Sequence, residues 1–317
     1  MKPHLSPTGP EPQRGNGIAN SALPLSDGSA GIARRQFLGR TILAGAGLIV
    51  SSPGCARLSH QPSNPMKISF VTANLVAQVS GYRFELAHWG DQHKKTVAAT
   101  DAAAWKSICR EIRATGFRAV EIWEAHAAPE AMDRERGATW KKILDDEGLK
   151  AIGYGGILSR KTLEVCQWLD IPRLNGWIGD NTPEQATAMC REMGVRFNLE
   201  NHPQKSAEEL LKIVGGGNDW LGICIDMGWL GTQGASGPEV IRACGSLVRH
   251  THVKDVKGVG AHQTCLLGEG VAQVAACIAT LKTMGYSGWY SWEDEPEDRN
   301  PFDSAVRDRR WIEKQLA

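Results

Sequence analysis

The chain has 317 residues, enough for one large α/β domain with a sizeable core or for two small ones. With 36 basic and 35 acidic residues and a net charge of +1, it has no electrostatic footprint for nucleic acid or an anionic membrane surface, and its composition excludes collagenous, disordered and multi-span membrane classes. A small neutral substrate fits these numbers; eleven tryptophans beside six phenylalanines suggest a site lined by indoles, although core packing also uses Trp.

Residues 1–33 are rich in Pro, Gly, Ser and Asn without an apolar period, and are expected to lie outside the fold, disordered. Arg34-Arg35-Gln36-Phe37-Leu38-Gly39 follows, then a ten-residue apolar run from Thr41 to Val50, too short to span a bilayer. This order of basic, apolar and small residues resembles a twin-arginine export signal, which implies a periplasmic protein; the alternative is a basic patch before a short buried helix. Ser52-Pro53-Gly54-Cys55 is similar to a lipoprotein cleavage site but lacks the leucine three before the cysteine, so lipid anchoring through Cys55 is left open. The expected organisation is a signal segment over 1–55, a linker over 56–65 and a single domain over 66–317. The other seven of the eight cysteines are dispersed singly in apolar patterns, as small buried hydrophobes would be, and there is no CxxC pair.

From Met66 onward, short β-rich runs alternate with amphipathic helical stretches, the pattern of a parallel sheet wrapped by helices. Strands are predicted at Lys67 to Thr72, Arg118 to Trp123, Lys150 to Tyr154, Arg173 to Trp177, Arg196 to Asn201, Leu221 to Asp226, Val248 to Val253 and Trp289 to Glu293. Helices are predicted at Asp101 to Thr115, Thr182 to Met193 (with Asn181 or Thr182 as cap), Ser206 to Val214 and Gly270 to Met284. Eight such units over about 250 residues predict a closed (β/α)8 TIM barrel. The stretch Val71 to Thr100 is long for a first strand-to-helix loop and holds Tyr82, Arg83, His88, Trp89, Asp91 and His93; it is expected to be a substrate lid or a solvated insertion. Gly268-Glu269-Gly270 follows no nucleotide-binding pattern and is read as the turn opening the seventh helix.

Alternation along the strands sorts side chains by face. Asn198, Glu200 and His202 share one face, opposite Phe197 and Leu199. Gly222, Cys224 and Asp226 oppose Ile223 and Ile225; His250, His252 and Lys254 share a face; Ser291 and Glu293 oppose Tyr290 and Trp292. In a barrel the bulky apolar face packs on the helices and the polar face looks inward. Glu200, Asp226, His252 and Glu293 therefore end four consecutive strands at the face where barrel active sites lie. Three carboxylates converging there need a compensating cation, and mixed carboxylate and imidazole ligation suits one divalent ion: Mn²⁺, Co²⁺, Zn²⁺ or Mg²⁺.

Leu199-Glu200-Asn201-His202-Pro203, Ile225-Asp226-Met227-Gly228, His252-Val253-Lys254-Asp255 and Gly285-Tyr286-Ser287-Gly288-Trp289-Tyr290-Ser291-Trp292-Glu293 together resemble, in order and spacing, the signature segments of the xylose isomerase-like barrel superfamily, the sugar phosphate isomerase and epimerase family. The resemblance runs from about Met66 to the C-terminus. It implies a metal held by Glu200, Asp226, His252 and Glu293, with Glu200 and Glu293 doubling as acid and base on opposite sides of a carbohydrate substrate. An ion chelating a sugar carbonyl and its adjacent hydroxyl acidifies the intervening C–H and stabilises the enediolate. Lys254 is a further catalytic candidate, steadying an oxyanion or donating a proton; the alternative is a salt bridge to one of the carboxylates. Where many relatives carry a histidine three residues after the strand-six aspartate, this chain has Trp229, an indole suited to stacking on a sugar face.

His202, Glu121, Trp123 and His126 complete the substrate-binding candidates, with loop or supporting roles as the alternative. The expected function is a metal-dependent isomerase or epimerase acting on a keto sugar. Two alternatives are a metal-dependent lyase or hydratase acting on oxidised (3-keto) glycosides, favoured by export and by the lack of clustered Arg or Lys for a phosphate, and a non-catalytic periplasmic carbohydrate-binding barrel. A related barrel endonuclease for abasic DNA is disfavoured by the neutral charge. Assembly into a homo-oligomer is left open.

Overall fold

The computed structural model describes residues 66–85 and 88–317. The segment expected to act as an export signal, 1–55, the expected linker at 56–65 and Cys55 lie outside the described residues. Eight parallel strands close into one barrel in sequence order: β1 Ile68–Val71, β2 Ala119–Trp123, β3 Lys150–Ile157, β4 Arg173–Trp177, β5 Arg196–Glu200, β6 Leu221–Asp226, β7 Val248–Val253 and β8 Tyr290–Trp292. β8 pairs back onto β1 through Ser69 opposite Ser291, which closes the cylinder. Every strand falls within a residue or two of its predicted place except β3, which runs on to Ile157 as Tyr154 to Ile157 pair with β4.

Short polar side chains start the helices. Asp101 caps α2 (Ala102–Ala114), Asp133 caps α3 (Arg134–Asp146) and Ser206 caps α6 (Ala207–Ile213), each accepting a backbone N–H of the first turn. Thr182 and Gln185 form a reciprocal capping box on α5 (Pro183–Met193), while Asn181 bonds instead to the carbonyls of Leu158 and Ile178. The stretch after β1 departs from the expected loop: it contains α1, Trp89–Ala99, which packs Trp89 on Trp123 with ring centroids 5.2 Å apart. Its buried side chains are Gln92 and Thr96, so the weak apolar period hid the helix.

α9 begins at Val274 rather than Gly270. Asp255 is the cause: its carboxylate accepts the backbone N–H groups of Val256, Gly268, Gly270 and Ala272 at 2.9–3.1 Å, holding 268–272 as a loop.

The face alternation sorts the core. Phe197, Leu199, Ile223, Ile225, Tyr290 and Trp292 pack outward against the helices in one continuous apolar cluster. Phe70, Phe117 and Trp292 meet there with centroids 5.3–5.8 Å apart, and Trp292 Nε1 donates to Asp308 of α10 (Phe302–Leu316) at 3.2 Å. The interior holds a buried polar network instead. Asn198 donates to Asn175 (2.8 Å), Asn175 to Glu121 (2.8 Å), and His250 lies between Glu121 (2.5 Å) and Ser291 (2.9 Å), with Ser69 joined to Ser291 (2.6 Å). All are buried, so each bond offsets a desolvation cost. Six of the seven cysteines among the described residues are buried, Cys265 is partly so, and all seven are unpaired. Among the described residues no helix is long and apolar enough to cross a membrane.

Candidate metal and sugar site

Register brings the four strand-end residues together. Asp226 on β6 pairs with His252 on β7, His252 pairs with Ser291 on β8, and Glu200 on β5 pairs with Cys224. Two buried amides brace these ends. Asn201 accepts from the Asp226 N–H (2.7 Å) and donates to its carbonyl (3.0 Å); Asn74 likewise spans the carbonyl of Trp292 (3.3 Å) and the N–H of Asp294 (2.8 Å), bracketing Glu293. Asp226 also accepts from Trp229 N at 3.0 Å, capping the short helix α7, Met227–Thr232.

One donor atom from each of Glu200, Asp226, His252 and Glu293 lies within 4.8 Å of the others. His252 Nδ1 stands 2.7 Å from Glu200 and 3.3 Å from Glu293. Its Nε2 stands 3.1 Å from Glu121, a fully buried carboxylate beneath the site. With Nε2–H donated to Glu121, the Nδ1 lone pair faces the other donors, the arrangement usual for a ligating imidazole. Three carboxylates and one imidazole are a hard, oxygen-rich set that fits a divalent ion. A second cluster, Cys224, His250 and His252, lies deeper. Burial raises the Cys224 thiol far above its ordinary range, and His250 Nε2 is already engaged by Glu121 and Ser291, so this cluster is poorly suited to a metal.

Protein cations temper the carboxylates. Burial works against an ionised Asp226, but Lys254, 3.5 Å away, and His202, 3.1 Å away, outweigh it and hold the acid well below its usual range. Glu200 is lowered too, burial being overcome by His252 and His202. Burial alone would lower the His252 imidazole, yet Cys224, Glu293, Glu121 and Glu200 around it raise it well above its ordinary value. Lys254 is held charged against burial by Glu293 (3.5 Å), Glu295 (2.6 Å) and Asp226. Burial and its acidic neighbours push Glu295 up to about 7, partly offset by Lys254.

Above these groups opens a cavity of about 570 Å³. Glu200, His202, Trp229, Lys254, His252, Glu293 and Trp123 line it, and Glu121 reaches its floor. Glu121 is thus placed to support His252 and His250 from the floor of the cavity. His126 does not join them. It is buried with Nδ1 3.0 Å from Thr72 Oγ1, its carbonyl accepts from Trp140 Nε1 (2.8 Å), and burial holds the ring neutral by lowering it to about 3. The turn after β2 rotates it away from the mouth, where the adjacent Glu124 points in and pairs with His93 of α1 (3.5 Å).

The sequence reading missed Glu295, Trp177 and His262 in the lining. Glu295 had a signal, continuing the face of Ser291 and Glu293, and Trp177 ends the fourth strand. His262 had none, since only the folded loop after β7 carries it to Trp229, with ring centroids 5.2 Å apart.

The family model described as the xylose isomerase-like TIM barrel matches residues 109–315. L-ribulose-5-phosphate 3-epimerase UlaE of Salmonella paratyphi C (strain RKS4594) is 31% identical over 103 residues, which is 32% of this chain and 35% of that protein. The match therefore spans about a third of the curated relative's length. Among solved structures, L-ribulose 3-epimerase is similar at TM-score 0.59 and 15% identity, covering 79% of this chain and 94% of that one. D-psicose 3-epimerase, solved in the presence of D-fructose, is similar at TM-score 0.57 and 15% identity over 79% of this chain and 99% of that one. A xylose isomerase domain protein from Planctomyces limnophilus is similar at TM-score 0.55 and 18% identity, over 66% and 90%. With the family model covering most of the barrel, and the closed eight-strand topology beneath it, the chain belongs to the xylose isomerase-like TIM barrel family.

Proposed function

We propose that the protein is a metal-dependent sugar isomerase or epimerase that removes and returns a proton beside the carbonyl of a keto sugar. The observation that carries this reading is the pair Glu200 and Glu293, 2.7 and 3.3 Å from His252 Nδ1 and both lining the cavity. Glu200, Asp226, His252 and Glu293 would hold one divalent ion, whose chemistry is to polarise the carbonyl and acidify the neighbouring C–H. One of Glu200 and Glu293 takes the proton from carbon as the C–H electrons move toward the carbonyl oxygen; the other, protonated, returns one to the opposite face. Lys254 stabilises the negative charge growing on oxygen. Names of the related epimerases point the same way. Export to the periplasm, resting on Arg34-Arg35 and the apolar run after it, is part of the proposal.

A lyase or hydratase acting on 3-keto glycosides would use the same first proton transfer, and Lys254 as the single Lys or Arg among the described residues of the lining favours an unphosphorylated substrate for either reaction. Incubating the Mn²⁺-loaded protein with keto sugars and keto glycosides in D₂O tests the reading: a deuterated epimer or isomer supports it, release of an aglycone selects the lyase, and a metal-bound protein that exchanges no C–H in any substrate refutes both. Glu200→Gln should abolish the exchange; turnover unaffected by that substitution would remove the assigned acid–base role.

A further inference from the structure

The cavity is larger than one sugar ring requires: its 570 Å³ falls within the roughly 300–1,000 Å³ of pockets that enclose drug-sized ligands. Its chemistry changes along its depth. The floor carries the carboxylates, His252 and Lys254, whereas the wall around His202 is aromatic, with Trp177, His202, Trp229 and His262 following one another at centroid spacings of 6.4, 4.5 and 5.2 Å. Trp177 is 44% exposed, an unusual place for an indole that packs no core. Trp229 lines the cavity and its Nε1 is covered without a hydrogen-bond partner, so a small turn of the indole would offer that donor to a ligand. Beside Trp177 the lining is glycine, on neighbouring strands where a side chain would not fit: a Cβ on Gly156 would lie 2.5 Å from the Glu124 carboxylate, and one on Gly176 would run into the Gly156 carbonyl oxygen. Among the described residues the cations of the lining are committed to carboxylates: Lys254 serves Asp226, Glu293 and Glu295, and His202 faces Asp226 at 3.1 Å.

We propose that Trp177, Trp229 and His262 form a second subsite that takes an uncharged ring joined to the reacting keto sugar, making the substrate class an unphosphorylated glycoside rather than a sugar phosphate. This rests on the reading that the reacting sugar lies at Glu200 and Glu293. The ring lays an apolar face on the exposed indole of Trp177, and its linking or hydroxyl oxygen accepts from Trp229 Nε1. A phosphate in the same place would be desolvated against indoles with no lysine or arginine beyond the committed Lys254 among the described residues of the lining to pair with it, which opposes its binding.

A matched series tests this: the methyl, phenyl and glucosyl glycosides of 3-keto-glucose, and the 6-phosphate of the methyl compound, titrated calorimetrically into the Mn²⁺-loaded full chain. The phenyl or glucosyl member should bind about tenfold or more tightly than the methyl one, the phosphate no more tightly, and the tighter of the first two tells an aromatic from a sugar second ring. Trp177→Ala, and Trp229→Phe, which keeps a ring and loses the N–H, should each shrink the two-ring preference toward unity. Equal binding of all three glycosides, tightest binding of the phosphate, or a preference unchanged in both variants overturns the subsite. C–H exchange of the methyl compound in D₂O, followed in parallel, separates the two ideas. Exchange without ring preference refutes the subsite alone, and ring preference without exchange refutes the catalytic reading alone.

Discussion

Glu121→Gln isolates what the carboxylate beneath the site does. In the native protein one Glu121 oxygen accepts from Asn175 (2.8 Å) and His252 Nε2 (3.1 Å), and the other faces His250 Nε2 (2.5 Å). Gln is the same size, so the strand and its neighbours keep their places. If the amide oxygen stays toward His252, the amide N–H₂ meets His250, which can move its proton to the Nδ1 atom that now has no partner. The loss is then a charge-assisted bond reduced to a neutral one, a difference of about 1–1.5 kcal/mol or roughly tenfold in affinity. If the amide turns the other way, the N–H₂ drives His252 to the wrong tautomer, placing a proton where the ligand lone pair belongs. The loss then approaches the upper end of the roughly 10–100-fold usual for such supporting groups. Mn²⁺ affinity by competition with a chromogenic chelator near neutral pH measures this, with circular dichroism as a control for folding. A folded variant whose Mn²⁺ affinity is unchanged would show that Glu121 neither orients His252 nor supports a metal there.

Three further outcomes follow from the same geometry. Lys254→Met leaves buried Asp226, Glu293 and Glu295 without their ammonium and should cost about 3–5 kcal/mol in thermal melts with EDTA, with Mn²⁺ recovering much of it; equal losses with and without Mn²⁺ would refute the shared neutralisation. Burial and neighbouring Asp294 push Asp308 up to about 6, so the native state binds the proton more tightly than the unfolded chain, and stability falls as pH rises from about 4 to 6. Asp308→Asn should therefore gain up to about 3 kcal/mol relative to the native protein above that window and little below it, in urea melts on either side; a pH-independent difference would contradict this. Gly176 has φ +139° and no room for a Cβ beside the Gly156 carbonyl, whereas Gly194 has φ +68° with open space. Gly176→Ala should destabilise by more than the approximately 1 kcal/mol expected of Gly194→Ala, read by denaturant titration, and equal losses would mean that the strands part without cost.

The local code of the chain carries a large share of the architecture. Asp101, Thr182 and Ser206 announce their helices because capping involves only residues three apart, and period-two alternation assigns Phe197 and Trp292 outward and Asn198, Glu200 and His252 inward because a pleat forces it. Once the eight strands close in order, Glu200, Asp226, His252 and Glu293 converge by register alone, which is why their grouping was legible before any coordinates. What the sequence could not decide is which atoms face one another across the barrel. Glu121 and His126 both lie in or just after β2, yet one reaches the floor beneath His252 and the other bonds to Thr72, since the turn that separates them is set by packing on α1 and Trp140. Trp229 meets His262 because Thr232, on the same short helix as Trp229, donates to the Ala261 carbonyl (2.7 Å) and accepts the Gly260 N–H (2.8 Å), while Asp255 gathers four backbone N–H groups at the two ends of the loop after β7. These are contacts between residues far apart in the chain, fixed by barrel closure and loop packing rather than by any local propensity, and they decide what the cavity above the carboxylates is shaped to hold.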